Sequence, residues 1–458
     1  MANFVLSAHM TNGDVLPLLR LGAALRKRGH QATLVTHGAF GPLAEKAGIG
    51  FRELDPPEAY TGIMKDLQLL EDPLRKPELY AEYERRYYAP EKLQHEYDVL
   101  DSLCAQPDTV LIGRERSAFV AMMVAEKRRL PFVSVFLAPS YVVQLATWSE
   151  LGHDFSMSIV NRFRALHGLS PVRDWLSWAQ AAGKHIGFWP ELFAPREPGW
   201  PLAVEAVGFP AADEAELAPL PERLLEFISS DAPPLLITGG TGKLLKPRFY
   251  EVCVEACRLL DRRAILVTRH EELVPRELPG TIQYHRVLPL AGVYPLLGGI
   301  IHHGGIGTVS ASMAAGLPQL ALAADTDRPD NAQRIKRLGL GDYLPPALWK
   351  PQHIAEALER IGTPQVKARC LHMQAALRQA EAMDVACTAV EAAVGQAAYA
   401  ISSQAIADDY DAACRQQQPD GQTGRTGSTA PSLDARRRTM LVQQLLQARR
   451  AQEEVVGS

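Results

Sequence analysis

Residues 302–339 read HHGGIGTVSASMAAGLPQLALAADTDRPDNAQRIKRLG. The apolar run Gly299–His302 leads into this string, glycines crowd its opening, and residues 309–315 continue as a small-residue helix. Strand, glycine loop and helix in that order belong to a parallel α/β sheet. Glycines allow a backbone to approach a diphosphate, and the amides opening the helix stabilise negative charge by ~0.3–1 kcal/mol per anion. His302 is positioned to add a hydrogen bond to a phosphate oxygen. Alone, such a loop could equally be a tight turn that packs helix on strand.

The same grammar extends outward. Residues 234–238 form an apolar strand, TGGTGK follows at 238–243, a helix spans 249–260 and another strand 264–268. The chain opens the same way, with a strand at Asn3–Ser7, a polar turn, a helix over 16–28 stopped by Gly29, and a strand at 31–35. Residues 110–113, an alanine-rich helix to Arg129 and residues 132–137 repeat the unit. Between 191 and 234 the composition turns to proline and acidic residues, which is linker chemistry. The expected organisation is therefore α/β, with two Rossmann-like domains, 1–208 and 234–396, joined by a linker at 209–233 and facing each other across a cleft. Ligands then bind at the carboxyl ends of the strands. Residues 397–458 read as a mostly disordered tail with a short helix at 433–450 that could dock a partner protein.

With 48 basic and 52 acidic residues among 458, the net charge of −4 gives no field to gather nucleic acid. Six scattered cysteines show no zinc-site spacing, so no metal site is expected, and they read as thiols of a reducing compartment. The start, MANFVLSAHM, resembles neither a secretory signal nor a transmembrane span, and a cytoplasmic location is expected.

The string at 302–339 resembles the nucleotide-sugar signature of family 1 glycosyltransferases of the two-domain (GT-B) type, and the similarity runs to about Gln396. The resemblance implies transfer of a sugar from a UDP- or dTDP-sugar co-substrate, with no other cofactor, to an apolar hydroxylated acceptor. It also implies a last helix, near residues 384–394, crossing back to the N-terminal domain. His302, Gly304, Gly305, Gly307 and Thr308 then hold the diphosphate, joined by Thr238, Gly240 and Thr241 of TGGTGK. Asp327 fits the aspartate that holds sugar hydroxyls, while the glutamine expected beside it is Arg328. That exchange points either to a more polar or acidic sugar or to an ion pair with Asp327 or Asp330. Val287 stands where many members stack an aromatic residue under the nucleobase, and the backbone around Leu288 is left to bond the base.

Asp14, in the turn after the first strand, is the expected catalytic base: direct transfer requires a group that takes the acceptor's proton, a contribution of ~10²–10⁴-fold. Capping of the following helix is the competing role. His9 reads as structural. Two other functions share this architecture, a nucleotide-sugar epimerase and a degraded transferase that only binds nucleotide sugar or a partner.

Overall fold

The computed structural model describes residues 1–70, 77–106, 108–151, 156–210, 219–240, 246–379 and 382–396. Two wholly parallel sheets organise it. The first contains β1 (Asn3–Ser7), β2 (Gln31–Thr36), β3 (Gly50–Glu53), β4 (Thr109–Arg114), β5 (Phe132–Phe136), β6 (Lys184–Gly187) and β7 (Glu205–Ala206), in the spatial order 3-2-1-4-5-6-7. The second contains β8 (Leu235–Thr238), β9 (Ala264–Val267), β10 (Ile282–His285), β11 (Gly299–His302), β12 (Gln319–Leu322) and β13 (Gly341–Leu344), in the order 10-9-8-11-12-13. Central strands such as β1, β5, β8 and β11 are buried at every residue, as sheets covered by helices on both faces require.

In each sheet the strand order reverses once, between β1 and β4 and between β8 and β11. Loops leave a sheet in opposite directions at such a point, and a crevice opens outside the carboxyl ends of the strands. Asp14 follows β1 and the string at 302–308 follows β11, so both sequence-selected loops occupy these crevices.

The stretch read as a linker holds structure of its own. A helix at Glu222–Ser229 buries Leu224 and Ile228 in a core shared with Leu236, Ile265 and Val293, so it is built into the C-terminal domain. Its proline-rich surroundings concealed this apolar spacing. At the other end, helix Ala382–Glu391 leaves the C-terminal domain and packs on helix Asn12–Lys27. Ala386, Cys387 and Val390 join Leu18, Leu21 and Leu25 in one core, and Arg28 and His30 reach Glu391 at 2.9 and 3.0 Å. The two crossings between domains touch, because a Cβ added to Gly208, whose φ is +91°, would lie 2.6 Å from the Cβ of Ala382.

No helix among the described residues is long and apolar enough to cross a membrane. The proposed helix at 433–450 lies outside the described residues.

Candidate active site

The two crevices open onto one cavity of ≈ 1690 Å³. A pocket for a single drug-sized ligand measures roughly 300–1,000 Å³, so this space is large enough for two ligands. Asp14, Arg114 and Tyr141 line it from the N-terminal domain, and Gly240, Gly305 and Arg328 from the C-terminal domain.

Asp14 is the third residue of helix Asn12–Lys27, and Thr11 is the N-cap. Its Oδ2 accepts from the Thr11 amide at 3.0 Å and from the Thr11 hydroxyl at 2.7 Å, while Oδ1 accepts from the Arg114 guanidinium. Capping and presentation to the cavity therefore coexist. A carboxylate offers about four lone-pair positions, and these three donors leave room for one more. The loop before it is held in a costly conformation: Met10 has φ +81°, with its amide donating to His37 Nε2 and its carbonyl accepting from the Tyr60 hydroxyl, both at 3.0 Å. His37 in turn donates from Nδ1 to Asp55 Oδ2 at 2.6 Å.

His9 takes part in the cavity wall and pairs with Glu96 at 3.0 Å. Burial alone would lower its pKa, but the charge and hydrogen bond of Glu96 outweigh that and the net shift is upward. The imidazole that faces the N-terminal part of the cavity therefore holds a proton more readily than a free one.

Arg114 extends a polar chain across the cleft. Its guanidinium lies 4.8 Å from the centre of the Tyr141 ring, and the Tyr141 hydroxyl donates to Asp327 Oδ1 at 3.1 Å. Burial, reinforced by the Asp327 charge, pushes the Tyr141 phenol well up, so it stays a donor. The base candidate and the sugar-binding candidate are thus joined through two side chains.

On the C-terminal side, the glycine loops meet the expectations unevenly. Gly240, Gly305, Gly307, Thr308, Leu288, Asp327 and Arg328 line the cavity. Gly240 and Gly304 have φ of +77° and +86°, and a Cβ on Gly304 would stand 3.0 Å from Ala323 Cβ. Gly304 accordingly shapes the loop from behind. His302 does not reach the cavity: it is fully buried at the end of β11, where its Nδ1 accepts from the Gly304 amide at 3.1 Å. Burial brings its pKa down to about 3 against a small upward pull from Gln319. The reason is strand alternation, since successive side chains leave a strand on opposite faces and it is His303 that faces the cleft. Its Nε2 would lie 2.5 Å from a Cβ on Gly305 and 3.0 Å from one on Gly240, so the ring is held between both glycine loops. Burial, then the Arg328 charge, holds His303 neutral.

Thr238 is buried, and its hydroxyl accepts from the Gly240 amide at 3.2 Å, so it orders the loop. Thr241 lies outside the described residues. Val287 points to solvent, 57% exposed, and Leu288 and Pro289 form the cavity wall where it was expected. Asp327 already accepts from Tyr141, from Thr326 at 3.0 Å and from Asn331 at 2.7 Å.

The sequence reading missed His303, Arg114 and Glu96. The first was shadowed by its neighbour in a double-histidine string. For Arg114 a signal existed, because RER at 114–116 puts three charges directly after an apolar strand at the switch point. Glu96 sits on a helix whose pattern shows only ordinary amphipathic spacing. Among the described residues no group of three or more His, Cys, Asp or Glu could hold a metal ion.

Comparison with known proteins agrees with this geometry. Residues 4–147 match the glycosyltransferase family 28 N-terminal domain, and residues 252–384 the C-terminal domain of the erythromycin biosynthesis protein CIII-like family. O-mycaminosyltylonolide 6-deoxyallosyltransferase of Streptomyces fradiae is 26% identical over 83% of this chain and 95% of its own. A sterol 3-beta-glucosyltransferase of Pichia angusta is 26% identical over 79% of this chain and 31% of its own length. In fold, the calicheamicin glycosyltransferase CalG4 superposes with a TM-score of 0.63 at 22% identity, covering 86% of this chain and 99% of CalG4. Two parallel-sheet domains, a shared cleft and both domain signatures lead to one assignment: the chain belongs to the family 1 glycosyltransferases of GT-B fold, enzymes that transfer sugars.

Proposed function

We propose that the chain moves a sugar from a UDP- or dTDP-sugar to a hydroxyl of an apolar small molecule or lipid, in the cytoplasm and with inversion at the anomeric carbon. The acceptor oxygen bonds to that carbon while its proton passes to the open position on Asp14. The bond to the diphosphate oxygen breaks on the opposite side, and the electron pair leaves with the nucleoside diphosphate. The observation that carries this reading is the presence of Asp14 and the glycine loop 303–308 on opposite walls of one cavity.

Thr11 and Arg114 hold the carboxylate in place, which favours a single line of approach for the acceptor. Amides at the start of helix Ile306–Ala314 and the His303 ring are the groups to receive the diphosphate charge, so activity is expected to survive chelation by EDTA. Tyr83, Tyr87, Tyr88, Phe119 and Leu67 give the N-terminal wall an aromatic, apolar lining. Together with the sterol and tylonolide relatives this supports an apolar acceptor. Buried free thiols such as Cys104, Cys253 and Cys370 are in keeping with a reducing compartment.

The test is nucleoside diphosphate release from a panel of UDP- and dTDP-sugars mixed with lipid and aglycone acceptors. Acceptor-dependent release that falls ~10²–10⁴-fold in Asp14→Asn is the expected result. Release without acceptor, or an Asp14→Asn variant as active as the parent, would reject it.

A further inference from the structure

Arg328 opens helix Arg328–Arg337 on the cavity wall and is only 8% exposed, yet its guanidinium has no hydrogen-bond or carboxylate partner among the described residues. The two aspartates best placed to neutralise it are engaged elsewhere. Asp327 accepts from Tyr141, Thr326 and Asn331, and Asp330 pairs with Arg334 at 2.8 Å. A buried cation without a counter-charge is strongly unfavourable, so the protein is built for an anion that completes it.

Its surroundings say which anion. The backbone of Arg328 lies against the glycine loop, for a Cβ on Gly304 would meet Arg328 O at 3.0 Å and Arg328 Cβ at 3.2 Å. Across the loop stands His303, close enough to feel the Arg328 charge, and the Ile306 and Gly307 amides that open helix Ile306–Ala314 lack intrahelical acceptors. Cation, imidazole and amides thus gather around the loop as donors.

We infer that Arg328 seats the diphosphate of the donor and takes up the charge that develops on it when the bond to the anomeric carbon breaks. This rests on the nucleotide-sugar reading above and goes beyond it, because the role belongs to the residue in which this chain departs from its family's glutamine. A carboxylate on the donor sugar offers the same anionic oxygens, and the experiment separates the two.

The full chain, Arg328→Gln and Arg328→Lys are titrated calorimetrically with UMP, UDP, dTDP, UDP-glucose and UDP-glucuronate, with thermal unfolding as the check on folding. Arg328→Gln is expected to weaken UDP, dTDP and both UDP-sugars about tenfold or more by one common factor, to change UMP less than about threefold, and to be partly restored by Lys. A loss confined to UDP-glucuronate overturns the inference in favour of a carboxylate reader. Equal losses for UMP and UDP, or no loss, overturn it in favour of a structural role. A parent protein that binds no nucleoside diphosphate removes the donor reading itself, whereas UDP binding indifferent to residue 328 removes only this inference.

Discussion

Two adjacent histidines with one letter code have opposite fates. His302 ends β11 inside the sheet, and His303 stands between the glycine loops. For His302 the folded state takes a proton only near pH 3, whereas the unfolded chain does so at the ordinary imidazole value of 6.5. The unfolded state therefore binds more protons between those values. The stability associated with the buried neutral ring is present in full above about 6.5 and is lost at roughly 1.4 kcal/mol per pH unit as the pH falls toward 3. His302→Asn keeps an acceptor for the Gly304 amide and cannot titrate. Its unfolding midpoint should be lower at neutral pH, because a ring has been removed from a packed site, but flatter across the acid range. An unchanged acid slope would show that the ring is not buried neutral.

At the scale of elements, strands and glycine loops were legible from sequence because two local signals agreed, an apolar run of strand length and the glycines that end it. The helix at Glu222–Ser229 was not, since proline on either side announces a linker regardless of what lies between. The polar chain from Asp14 through Arg114 and Tyr141 to Asp327 was equally hidden. Its members come from four separate segments, and only the folded topology brings them together. Asp14 illustrates the partial case: sequence offered base or cap as alternatives, while the helix start provides the cap interaction and the cavity position at once. The loop after β11 supplies the element-level prediction. Gly304→Ala places a side chain at φ +86° against Ala323 and Arg328. It should cost about 1–2 kcal/mol of stability and weaken UDP binding more than a distant destabilising substitution does. Normal UDP affinity in a variant with a lowered melting temperature would limit Gly304 to a structural part.

Across the whole molecule, the domains are linked by two chain crossings that touch at Gly208 and Ala382, by the Tyr141–Asp327 hydrogen bond, and by Arg334 to Glu197 at 2.9 Å. A rotation of one domain against the other would have to bend the chain at that double crossing. Gly208→Ala, which must adopt φ +91° and crowd Ala382, should lower the melting temperature. It should also raise the KM for donor and acceptor together, because both halves of the cavity shift. A change in one KM alone would place the effect in one domain. The helix Ala382–Glu391 has a further consequence for how the protein is made. Leu21 and Leu25 leave the ribosome long before Ala386, Cys387 and Val390, which cover them. A nascent polypeptide halted on the ribosome before residue 382 carries an uncovered greasy face, and that truncated species is the one that chaperones must shield from self-association.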